Sequence, residues 1–107
     1  MPKYLITARY TPPVGVQGLI EEGGTGRVGA VTKLCESLGG RLDALYYAFG
    51  ETDAYAIVDL PSNAAAAAAS LIVGASGEAV TSVVALLTPE EIDQASKMSP
   101  TYRPPGN

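Results

Sequence analysis

The chain contains no histidine and no tryptophan, and only one cysteine and one phenylalanine in 107 residues. Each scarcity excludes something. Without histidine the commonest general base and metal ligand is missing, and one cysteine cannot build a thiolate metal cluster, so zinc chemistry and Ser-His or Cys-His catalytic pairs are out. The lone thiol, Cys35, can form no internal disulfide. Basic residues are few as well: seven Lys and Arg against eleven Asp and Glu leave a net charge of −4. They are scattered along the chain, which opposes steering toward phosphate backbones or anionic membranes. No apolar run reaches the roughly 18 residues of a membrane span, and no basic, apolar and small-residue leader opens the chain. The expectation is a cytoplasmic protein in reducing surroundings, with neither nucleic acid nor membrane as a partner and with no cofactor or metal.

What is present suits a single core. Hydrophobic residues make up 47% and charged ones 17%, enough apolar surface to offset ordering entropy in one domain of this length. Lys3 to Tyr10 is β-branched, aromatic and alternating, a first strand ended by Thr11-Pro12-Pro13. Val16, Leu19 and Ile20, then Val28, Val31, Leu34, Cys35 and Leu38, recur at helical spacing on either side of Gly23-Gly24, which predicts one helical region with a glycine break. Gly39-Gly40 stops it. Strands follow at about 42–49 and 53–60. Ser62 or Asn63 caps a helix built on six alanines, Ala64 to Ala69, which lose no side-chain entropy on becoming helical. A fourth strand at about 80–87 leads to Thr88-Pro89-Glu90-Glu91, a capping box with proline in the first turn, and to a short helix ending near Met98. Residues 1–98 then form the domain and 99–107 a proline-rich tail.

The order β-α-β-β-α-β plus a terminal helix predicts an α+β, ferredoxin-like fold, with two helices on one face of a four-stranded antiparallel sheet. Alternation places Leu42, Ala44, Tyr46 and Ala48 on one side of the second strand and Leu45, Tyr47 and Phe49 on the other. With both sides apolar, Tyr47, Phe49, Tyr55 and Ile57 would be wet on a bare face. A patch of that kind exceeds what monomers tolerate, and its economical cover is a second copy of the chain. Gly24, Gly26 and Gly29 match the Gly-x-Gly-x-x-Gly of dinucleotide sites. However, the glycines lie about 13 residues beyond Tyr10, after helix has already begun, and the unit is not a parallel crossover, so a kinked helix is the reading.

The strings MPKYLITARYTP, EEGGTGR, ESLGGRLDALYYAFGETDAYAIVDLP, AAAAAASLIVGASG, LLTPEEID and TYRPPG together resemble the GYD-domain family of small bacterial proteins, over essentially the whole chain. The resemblance implies a ferredoxin-like fold of the dimeric α/β-barrel kind and no particular reaction. The family's Gly-Gly-Thr-x-Arg stretch corresponds to Gly23, Gly24, Thr25 and Arg27, and its naming motif to Gly50 and Asp53. Thr52 stands where tyrosine is common, so no role goes to that phenol. The resemblance extends to Tyr102 and Arg103 in the tail.

Candidate chemistry rests on carboxylates, tyrosines and arginines. Lys3, Leu5, Thr7 and Arg9 share one face of the first strand, and Asp53, Tyr55, Ile57 and Asp59 one face of the third. On neighbouring antiparallel strands Arg9 approaches Asp53 and Tyr55, and Lys3 approaches Asp59. Two explanations stay open: structural ion pairs, or a pocket in which Arg9 holds an anionic ligand while Asp53 or Tyr55 handles protons. Tyr47 is a further ligand-binding candidate, with Tyr102 and Arg103 as a lid. Glu21, Glu22 and Arg27 read as a solvated helix face, and Cys35 as a small buried hydrophobe. Two functions follow as expectations. One is a non-catalytic homo-oligomeric module that binds a small ligand or another protein. The alternative is a cofactor-independent α/β-barrel enzyme, a monooxygenase or isomerase, acting on a small aromatic or lactone substrate; fold analogy alone supports it.

Overall fold

Seven elements follow one another in the computed structural model, which describes all 107 residues: β1 (Lys3–Tyr10), α1 (Val14–Ser37), β2 (Arg41–Tyr47), β3 (Ala54–Asp59), α2 (Asn63–Ala75), β4 (Ala79–Leu86) and α3 (Pro89–Ser96). The strands form one antiparallel open sheet in the order β2-β3-β1-β4. The protein is therefore α+β, and its element and strand order are consistent with the ferredoxin-like arrangement. No helix is long and apolar enough to cross a membrane.

Local chemistry accounts for the helix ends. The Ser62 hydroxyl accepts from the Ala65 amide at 3.1 Å, and at α3 the Thr88 hydroxyl accepts from the Glu91 amide while the Glu91 carboxylate accepts from the Thr88 amide. These bonds occupy amides that the first helical turn leaves unpaired. The break expected in α1 falls at Gly23, whose φ of 80° and ψ of 162° interrupt the helical backbone. Side chains other than glycine are strained there.

One face of the sheet carries the core. Tyr4, Ala56 and Val58 point toward the helices and meet Cys35 of α1 and Ala66 of α2. Tyr4 is fully buried because its hydroxyl donates to the Asn63 side-chain oxygen at 2.6 Å, which satisfies the one polar atom it takes inside. The alanines of α2 let that helix lie close over β4, with Ala66 and Ala69 buried.

The second strand departs from simple alternation. Leu42 pairs with Val58, but Ala44 pairs with Ile57, so Asp43 is an extra residue in a bulge. A one-residue bulge reverses the facing of everything beyond it. Leu42, Leu45 and Tyr47 therefore all face the helices, and Ala44 and Tyr46 face the open side. The expected placement of Tyr47 on the bare face is corrected by this bulge. The open face still bears large apolar groups: Tyr46 is 73% exposed and Tyr55 41%, with Ile57, Val80 and Val84 beside them.

Candidate ligand-binding cavity

A cavity of about 280 Å³ opens between α1, α2 and the sheet. Its floor is small because β1 and β3 present Ala8, Ala54 and Ala56 there, with Ile6 and Leu45 beside them. Gly18, Leu19, Val31 and Leu34 of α1 form one wall, and Ala69, Ile72 and Val73 of α2 form the other. Volume and lining suit a small, mostly apolar molecule.

Polar groups gather on one partly exposed side of this space, where α1 bends at Gly23. Tyr10 reaches it from the end of β1, and Glu22 and Arg27 flank the bend. One Arg27 Nη donates to the Glu22 carboxylate over long distances of 3.4 and 3.5 Å. The Arg27 Nε is buried and has no hydrogen-bond partner. A buried donor left unpaired costs about 1–3 kcal/mol, more when charged. Burial raises the Tyr10 phenol above its ordinary value, and the neighbouring Arg27 guanidinium only partly opposes this. At neutral pH Tyr10 is thus a hydrogen-bond donor, not a base. Behind them the Tyr47 hydroxyl donates to the Gly24 carbonyl at 2.9 Å. A side chain at Gly24 would meet the Tyr47 ring at 3.2 Å, so this glycine serves close packing and the Gly-x-Gly-x-x-Gly match lies within α1. Burial also raises the Tyr47 phenol.

At the other end of the sheet, on its open face, a second polar cluster has formed. Asp59 accepts from Lys3 at 2.8 Å and from Arg41 at 3.0 Å, and Asp43 closes the network onto the same two cations. Those bonds hold the Asp59 carboxyl below its ordinary range, through Lys3 first and Arg41 after it. The expected approach of Lys3 to Asp59 is present; Arg41 and Asp43 join it because the bulge presents them there.

The other expected site residues lie apart from the cavity. Arg9 is exposed on β1 and makes no ion pair. The Asp53 carboxylate accepts instead from the Tyr10 backbone amide at 2.9 Å. Tyr55 stands on the open face opposite Thr7, and Tyr102 and Arg103 are exposed in the tail. None of these residues, nor Tyr47, lines the cavity. Conversely, Glu21 and Glu22 are exposed, as a solvated helix face requires, whereas Arg27 is half-buried and its Nε is shielded from solvent. Cys35 is buried at the cavity edge, its thiol pushed up by desolvation and secondarily by Glu36. No group of three or more His, Cys, Asp or Glu is placed to hold a metal ion.

Fold and cavity together define a small α+β protein with one open sheet and a hollow under its helices. The chain belongs to the GYD domain family, whose model matches residues 4–96 of the 107. Searches of curated proteins and of solved structures found no match. The stretch Gly23-Gly24-Thr25-x-Arg27, which carries the family resemblance, is the one that bends α1 and brings Arg27 to the cavity. The strings MPKYLITARYTP and EEGGTGR that carry the resemblance also contain Tyr10 and Glu22, but nothing in them marked that these two meet Arg27.

Proposed function

We propose that this GYD-domain protein is a homo-oligomeric small-molecule-binding module whose site is the cavity between α1, α2 and the sheet. The observation that carries the reading is a mostly apolar cavity with the part-buried Arg27, whose Nε has no hydrogen-bond partner, in its lining. Glu22 already balances much of the guanidinium charge, so the fitting ligand is a compact, largely apolar molecule with one acceptor oxygen, of the carbonyl or phenol type. Tyr10 can donate to the same oxygen. Binding is favoured over turnover because the Glu22 carboxylate at the cavity already accepts from Arg27, which leaves it less free to act as the base that a cofactor-independent monooxygenase or isomerase needs.

The oligomeric half of the reading rests on the open face. Leaving Tyr46, Tyr55, Ile57, Val80 and Val84 in water forgoes roughly 1.5–3 kcal/mol for each large side chain that a partner would bury. Two sheets packed face to face about a two-fold axis, the dimeric α/β-barrel arrangement, would cover both copies at once.

Native mass spectrometry of freshly purified protein tests both halves. The expected result is a dimer or larger closed oligomer that carries an extra small-molecule mass, and that mass should be lost on Gly18→Leu, which plugs the cavity. A bare mass, combined with no saturable uptake of 8-anilinonaphthalene-1-sulfonate, would overturn the binding half. A monomer at micromolar concentration would overturn the other.

A further inference from the structure

We infer that residues 87–107 form an arm that lies along the rim of the open sheet face of a second copy of this chain, beside the packed sheets, each protomer clasping its partner. The inference rests on the self-association proposed above and adds the element that completes the interface.

The arm is structured but unsupported by its own chain. Every residue from Leu87 to Asn107 is exposed, and α3 buries none of its side chains. The radius of gyration is 16.9 Å with a long axis of 55 Å, against about 13 Å for a compact chain of this length. An eight-residue helix is marginal in water even when well capped, because nucleation is costly and few bonds are gained. The capping box helps, and Leu87 and Ile92 occupy the positions of a hydrophobic staple. Yet Ile92 remains 50% exposed, Met98 68% and Tyr102 72%. This apolar series calls for a surface that the protomer does not provide.

A second copy supplies it. The open face of four strands and about eight residues covers roughly 500 Å² in projection. An arm laid along its rim enlarges the contact toward the roughly 800 Å² of accessible surface per partner that stable interfaces bury. Charge agrees: Arg9 on that face has no carboxylate partner, and Glu90 and Asp93 on α3 have no cation. Because a two-fold operation gives each face one arm, the exchange leaves no unmatched surface and closes at two copies.

The test is sedimentation equilibrium on the full-length protein and three full-length variants, with circular dichroism to verify folding. The paired substitution Ile92→Asp and Met98→Asp touches only exposed positions, and it should weaken dimerisation at least tenfold. Arg9→Glu should weaken it several-fold, and adding Glu90→Arg with Asp93→Arg should restore most of that loss. A wild-type dimer whose dissociation constant is unmoved by the paired substitution overturns the arm and leaves self-association standing. A wild-type monomer overturns self-association itself, and the arm with it.

Discussion

Two arginine–carboxylate clusters sit at opposite ends of the same sheet, and they differ in whether their bonds close. In the Lys3, Arg41, Asp43 and Asp59 cluster, Asp59 is nearly buried but receives two cations, and the exposed arms of Lys3 and Arg41 keep contact with water. In the Tyr10, Glu22 and Arg27 cluster, the arginine is drawn inward, its carboxylate is loosely held, and its Nε has no acceptor. Similar residue types thus serve different ends. A satisfied network stiffens a strand pair, whereas an unsatisfied donor beside a mostly apolar hollow is the incomplete bond on which the proposed ligand site rests.

The largest effect that sharpens this contrast belongs to the closed end. Gly40 runs so near β3 that an added Cβ would lie 2.0 Å from the Asp59 carbonyl oxygen and 2.8 Å from a Leu60 methyl. The backbone on both sides must shift to admit it. Gly40→Ala should cost about 3 kcal/mol or more, lowering Tm by roughly 10 °C or greater in calorimetry. An unchanged Tm would mean that the β2 entry is slack and the network there does not stiffen it.

Next in size is the loss expected at the open end. Arg27→Met keeps the length and the apolar stem but removes the donor, and it should weaken ligand retention by roughly 10- to 100-fold, the usual worth of a hydrogen bond to a charged group. Stability should hold or rise slightly, since a buried unpaired group disappears. Titration calorimetry with the co-purified ligand checks the first part and thermal melting the second. A large fall in Tm with retained binding would make Arg27 a structural residue like Arg41.

Asp59→Asn probes the closed cluster more gently. Its carboxyl is held below the ordinary range in the folded protein, so it contributes stability above the unfolded value near pH 4 and loses it as pH falls through the folded value. The variant should melt roughly 5 °C lower at pH 7, discounted because both cations are well exposed. The difference from wild type should shrink below about pH 4. A difference independent of pH would show that geometry, not charge, is what Asp59 supplies.

Much of the fold was legible because its signals are local. The cap at Ser62, the capping box from Thr88 to Glu91, and the break at Gly23 each depend on a few neighbouring residues. Lys3 and Asp59 were also within reach, since antiparallel pairing of β1 with β3 brings them together. Tyr47 was misplaced because the bulge at Asp43 leaves no mark in an alternating apolar run. Arg27 read as solvated because helical periodicity says which face a residue lies on, not whether the neighbouring helix stands off. The distance between α1 and α2, and with it the cavity, emerges only when the alanine floor and the glycine wall are assembled.

The smallest expected change tests that hollow directly. Gly18 lies in the wall formed by α1, and a Cβ added there would meet no atom within 4 Å. Gly18→Leu therefore inserts a side chain into open space and does not force it against neighbours. Replacing glycine inside a helix gains about 0.8–1 kcal/mol from backbone entropy alone. Burial of the new side chain adds to this, and its lost rotamer freedom subtracts. The net should be a gain of about 1 kcal/mol, seen as a rise in Tm of a few degrees. If the cavity is the binding site, the same variant should lose its ligand while becoming more stable, a combination that damage to the fold cannot produce. A lower Tm would show that α1 and α2 close over this space in solution, and the unpaired Nε of Arg27 would then find its partner within the protein.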